Sequence, residues 1–273
     1  MAKIREIRCI RTRDRGYWVI VKVVTDQPGL WGIGSANDVH HAATVTTAIE
    51  EVLAPRLIGR DASHIEDIWQ STYTSAYWRN GPILNTALAA VDVALWDIKG
   101  KEAGLPLYQV LGGPCRSAVP CYAHASGGDL EALTEDVQRY MEEGYPVIRC
   151  QIGGYGGGGF LDASAARAPE KPWGTGQFFD DEAYLEAIPK MFEHLRKELG
   201  FAPKLTHDVH EHLRPQSAVT LSKLLEPYRL FFLEDALPPE QVEWYRLIRE
   251  QCTTPQAMGE LFVNPREYVP LIT

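Results

Sequence analysis

The chain has 273 residues, enough for one large domain or two ordinary ones. Its hydrophobic fraction of 45% and charged fraction of 23% suit a globular protein with a packed core. A net charge of −9 argues against nucleic acid or anionic membrane as a main partner. A small anionic substrate stays open, because a bound divalent cation can dominate the local field.

The opening Met1-Ala-Lys-Ile-Arg-Glu-Ile-Arg8 lacks the apolar core of a signal peptide, and no stretch approaches the ~20 apolar residues of a membrane span. Cys9, Cys115, Cys121, Cys150 and Cys252 form no CxxC pair, which points to free thiols in a reducing cytoplasm. Ile4 to Arg11, Tyr17 to Val24 and Leu30 to Gly34 read as strands, with a turn over Asp26 to Gly29, so an antiparallel meander is expected. Helices follow over His41 to Leu53 and Ile65 to Tyr77, with breakers around Pro55 and Gly59. Pro82 starts a third, whose Ile83, Leu84, Ala87, Leu88, Val91, Ala94, Leu95 and Ile98 form one apolar face; Gly100 and Gly104 close it. The aromatics Trp69, Tyr73, Tyr77 and Trp78 suit helix packing or a subunit interface.

From Cys121 short strands alternate with longer helices, the signature of parallel α/β structure. Strands are expected over Val119 to Ala125, Pro146 to Gln151, Lys204 onward, Leu230 to Asp235 and Gln256 to Phe262. Helices are expected over Leu130 to Glu143, Asp181 to Leu199, Ser217 to Leu225 and Pro239 to Glu250. A closed (β/α)8 TIM barrel takes eight such units and about 250 residues. Five are present here, so the expected architecture is a partial barrel over 116–273, preceded by an α+β domain over 1–115. An open five-stranded sheet is the alternative, at the expense of a long apolar edge.

The chemistry concentrates on Lys204-Leu-Thr-His-Asp-Val-His-Glu211. Asp208 and His210, two apart on a strand, would share a face. Glu234 and Glu260 follow at successive intervals of 26 residues, close to one βα unit of roughly 30. Three carboxylates at the ends of successive parallel strands make a hard-cation site suited to Mg²⁺. Two alternatives stand beside it. His207, Asp208, His210 and His212 could hold zinc, although two of the other ligands are glutamates. The run Gly153-Gly-Tyr-Gly-Gly-Gly-Gly159 could cradle phosphate, but it lacks the GK[ST] ending and suits an active-site flap better. Read on its own, Arg149 could also be a structural ion-pair partner.

Residues Ala87 to Gly113 resemble the helix that ends the capping domain in the mandelate racemase and muconate lactonizing branch of the enolase superfamily. Within that branch, Thr206 to Glu211 and Pro146 to Gln151 resemble the mannonate dehydratase group, which includes proteins labelled starvation-sensing. The resemblance implies that residues 1–115 are the capping domain and that Asp208, Glu234 and Glu260 bind Mg²⁺. It implies dehydration of a sugar acid, of the mannonate or gluconate class, to a 2-keto-3-deoxy acid by way of an enediolate. By position, His210 is the general acid, Arg149 assists a tyrosine base, and Asn37, His124 and Glu260 meet the substrate. The tyrosine in the loop here is Tyr155, nearer the strand than in active members of the group. The resemblance also implies a homo-oligomer built from dimers. A racemase on the same metal site, or a sensor that binds a sugar acid or lactone with little turnover, is the competing reading.

Overall fold

The computed structural model describes residues 1–12, 18–36, 41–152 and 180–272. The chain divides into two compact units, Met1–Ser117 and Ala118–Thr273, each with its own hydrophobic core.

In the first unit β1 (Ile4–Arg11), β2 (Val19–Thr25) and β3 (Trp31–Ser35) form the antiparallel meander in chain order. The period-two pattern of β2 buries Val19, Val21 and Val23 completely. Next, α1 (Ala42–Thr47) runs through a π-helical turn, Ala48–Leu53, into α2 (Ala54–Leu57). Pro55 was expected to break this helix and does not. It follows directly on the π-helical turn, and the chain stays helical through it to Leu57.

Then come α3 (Ile65–Ser75), α4 (Pro82–Ala103) and the short α5 (Leu107–Val110). Gly104 ends α4 in the left-handed region, as expected, but Gly100 lies inside the helix. Its place is explained by packing, since a Cβ there would meet the Leu105 carbonyl oxygen at 2.9 Å. Gly32 and Gly34 in β3 are required for the same reason. A Cβ on either would collide with the backbone carbonyl of Ala94 or Ala90 in α4.

The second unit is a parallel sheet, β4 (Tyr122–Gly127), β5 (Val147–Ile152), β6 (Lys204–Asp208), β7 (Leu233–Glu234) and β8 (Gln256–Ala257), in that spatial order. The helices between are α6 (Leu130–Glu142), α7 (Asp181–Leu199), α8 (Pro215–Leu224) and α9 (Tyr245–Gln251), with α10 (Pro265–Ile272) last. Residues Pro239–Trp244, expected to be α-helical, form a 3₁₀ turn that leads into α9. Alternation sends Ala125, Ile148, Cys150, Leu205 and Leu233 into one core with Leu133, Val137, Tyr184, Phe192 and Ile248 from the helices. The other face of the sheet carries most of its polar side chains, among them His124, Arg149, Thr206, Asp208 and Glu234.

Two expectations need correcting. β7 and β8 hold two residues each, so Glu260 lies three residues beyond its strand. β6 likewise stops at Asp208, which puts His210 past the strand end. In each case the chain leaves the ladder through positive φ angles: His210 and Glu211 near 55°, Asp235 at 44°, Gly259 at 142°. Among the described residues no helix is long and apolar enough to cross a membrane.

Candidate metal and substrate site

Register brings the polar face together. His124 pairs with Arg149 and Arg149 with Thr206, while Asp208 pairs with Glu234. Side chains in register on one face of a parallel sheet stand side by side, so Tyr122, His124, Arg149, Asp208 and Glu234 line a single rim.

Asp208 is its centre. Its Oδ2 accepts a 2.6 Å bond from the buried Arg149 guanidinium and lies 2.6 Å from His210 Nε2, while Oδ1 accepts from the His210 backbone N–H at 2.9 Å. Burial alone would push this carboxyl up. The bonds and charge of His210, with Arg149 behind them, outweigh burial and hold it below the ordinary carboxylate value. Asp208 is therefore an acceptor only, and His210 Nε2 must carry the hydrogen of their contact. The turn at His210 makes this possible: a left-handed residue folds the imidazole back over the carboxylate two positions earlier. Proximity thus comes from the turn and not from strand alternation.

Two groups of side chains offer ligand atoms within 4.8 Å of one another, Asp208–His210–Glu260 and Glu211–Asp235–Glu260. Glu234 belongs to neither. Its two oxygens accept from the Tyr122 hydroxyl at 3.0 and 2.9 Å, and Tyr122 stacks on His124 with ring centroids 5.2 Å apart. Burial raises the Glu234 carboxyl, the Tyr122 bond opposes it, and the Asp208 charge adds to the rise. Burial also lowers His124, with the Arg149 charge helping. The donors at this rim are dominated by carboxylate oxygens, the set a hard divalent cation prefers.

The zinc alternative loses two of its three histidines. His207 is fully buried on the helix side of the sheet, and neither it nor His212 belongs to either group. Tyr155 and Asn37 lie outside the described residues, as does the glycine-rich run. Three residues were missed from sequence: Tyr122, Glu211 and Asp235. The last two were in plain view, beside His210 and Glu234.

Residues 6–112 match the mandelate racemase / muconate lactonizing enzyme N-terminal domain, and residues 132–273 match the enolase C-terminal domain-like family. The chain belongs to the mandelate racemase / muconate lactonizing enzyme family. Within it, the chain is 62% identical over 272 residues to a D-galactonate dehydratase family member from Paenibacillus sp., covering 100% of this chain and 67% of that one. It is 47% identical over 270 residues to a D-mannonate dehydratase from Rhizorhabdus wittichii, covering 95% of this chain and 65% of the other. A crystal structure of an enolase from Pantoea ananatis with bound d-gluconate and Mg superposes with a TM-score of 0.91 at 46% identity, covering 100% of this chain and 69% of that one. The enolase-superfamily fold, a parallel α/β sheet preceded by an antiparallel capping sheet, is thereby fixed for this family member.

Proposed function

We propose that this family member dehydrates a sugar acid of the mannonate or gluconate class to a 2-keto-3-deoxy acid, with Mg²⁺ held by Asp208, Glu234 and Glu260. The observation that carries this reading is the contact of His210 Nε2 with Asp208, in a group that also contains Glu260. An acid and two cation ligands then stand at one place, where a substrate carboxylate and its 3-hydroxyl could be met together. The cation, when bound, supplies positive charge beside the substrate carboxylate and so acidifies the proton on the neighbouring carbon.

The chain's own residues do the rest. A base takes the C2 proton; Tyr155 is the candidate carried over from the family pattern. His210 gives its Nε2 proton to the C3 hydroxyl, which departs as water, and the resulting enol tautomerises to the 2-keto acid. Asp208 accepts the His210 backbone N–H and so holds the turn in place while the ring carries its Nε2 hydrogen from the carboxylate to the substrate hydroxyl, and Arg149 holds Asp208 from the other side. His124 lies on the same rim and is offered as a substrate contact. So is Asn37, from the family pattern alone.

The test is a panel of sugar acids with Mg²⁺, assayed for 2-keto product. Turnover of at least one hexonate is expected, and Glu234→Gln should abolish both turnover and Mg²⁺ binding at the Asp208–Glu234–Glu260 site. A panel that yields no keto acid, while the same acids raise the melting temperature, would replace the dehydratase by a sensor.

A further inference from the structure

We infer that the rim holds a second hard-cation site, formed by Glu211, Asp235 and Glu260 and distinct from the Asp208–Glu234–Glu260 site. Carboxylate oxygens of these three residues lie within 4.8 Å of one another. Asp235 is 1% exposed; its Oδ1 accepts the Gly259 N–H at 3.1 Å, while its Oδ2 is buried with no hydrogen-bond partner. A buried carboxylate oxygen without a partner is costly, and a cation is the ligand that satisfies it when its neighbours are also carboxylates.

Asp235 follows Glu234 directly, at the positive-φ residue where the chain leaves β7. The Glu211 N–H donates to the Asp235 carbonyl at 2.7 Å, which holds the two side chains' backbones together behind the rim. Charge leads to the same place. Five carboxylates, Asp208, Glu211, Glu234, Asp235 and Glu260, gather at the rim, where Arg149 and His210 both contact Asp208. One divalent ion on the first site leaves Glu211 and Asp235 facing each other without a cation. Oxygen-only donors specify the class of ligand: Mg²⁺ or Mn²⁺, completing their shells with water. The proposal shares Glu260 with the proposed catalytic site but depends on that reading for nothing else.

Mn²⁺ is the probe. Equilibrium dialysis of the metal-free full chain should give two ions per chain, and Glu211→Gln should reduce this to one. The paired ions should also show a spin-coupled paramagnetic resonance spectrum, because a carboxylate shared in two-metal sites sets them roughly 4 Å apart. Asp235→Asn is the second variant, should the first not fold, and circular dichroism checks both. Asp208→Asn should lose the other ion and keep this one. One ion per chain, lost in Asp208→Asn and kept in Glu211→Gln and Asp235→Asn, would overturn the second site and leave the dehydratase reading intact. One ion with the opposite pattern would support the site proposed here and overturn the Asp208–Glu234–Glu260 assignment. No binding at all would overturn both.

Discussion

His207 precedes Asp208 by one residue and faces away from it, so the same strand that presents a rim carboxylate anchors the core behind. Its Nδ1 hydrogen is donated to the Cys150 carbonyl at 2.8 Å, and that fixes Nε2 as the acceptor of the Tyr184 hydroxyl at 2.7 Å. The ring is neutral in this arrangement. Burial pushes its pKa down from 6.5 to about 4, against the opposing pull of the Cys150 carbonyl and the Asp208 charge. Between those two values the unfolded chain binds a proton that the folded chain refuses. The contribution of His207 to stability is therefore complete above pH 6.5 and drains away as the pH falls towards 4. A gap of that size corresponds to about 3 kcal/mol. Urea unfolding of the metal-free protein at pH 7.5, 6 and 5 should show wild type losing stability faster than His207→Gln, whose side chain does not titrate. Parallel curves over that window would mean that the His207 ring takes up its proton without unfolding.

At the scale of the element, α4 and β3 specify each other through absent side chains. Ala90 and Ala94 present bare backbone to Gly34 and Gly32, and the helix lies so close to the strand that no Cβ fits. Gly34→Ala should destabilise the first unit by about 3 kcal/mol, the upper end of what overpacking usually costs. Gly128→Ala is the control, for an added Cβ there meets nothing within 4 Å. Equal stability of the two variants in chemical denaturation would refute so close an approach. This pairing was half visible in the sequence: the apolar face of α4 announces itself by three- and four-residue steps, but the steps do not say that Gly-Ile-Gly is its partner. The same division runs through the second unit. Alternating strands and helices were legible from their periods, and the 26-residue spacing brought Asp208, Glu234 and Glu260 into view. The ends of the strands were not legible, because the chain leaves the ladder at His210, Glu211 and Asp235 without a glycine or proline to mark the turn, and any one non-glycine residue takes positive φ only uncommonly. Tyr122 was invisible for another reason. Its partner Glu234 is 112 residues away, and nothing local marks an aromatic strand residue as a hydrogen-bond donor.

Over the whole molecule, the carboxylates that would bind cations all belong to Ala118–Thr273, while Met1–Ser117 closes its own core. A ligand stabilises only the structure that must be intact to bind it. Metal removal should therefore be read unevenly along the chain. At a hundredfold excess over Kd, Mg²⁺ adds about 2.7 kcal/mol to the native state, equivalent to a roughly hundredfold slowing of amide exchange through the opening that destroys the site. Hydrogen exchange followed by mass spectrometry should show that slowing in β6 and in the segments around Glu234 and Glu260, since these strand ends carry the proposed ligands and pair with one another. The Val19, Val21 and Val23 amides of β2 should exchange at the same rate with Mg²⁺ and with EDTA, because their protection comes from a core that holds none of these carboxylates. Uniform slowing across both units would show that the chain unfolds as one cooperative block. Slowing confined to β2 would contradict the placement of the cation itself, since the rim would then unfold without regard to the charge it was built to hold.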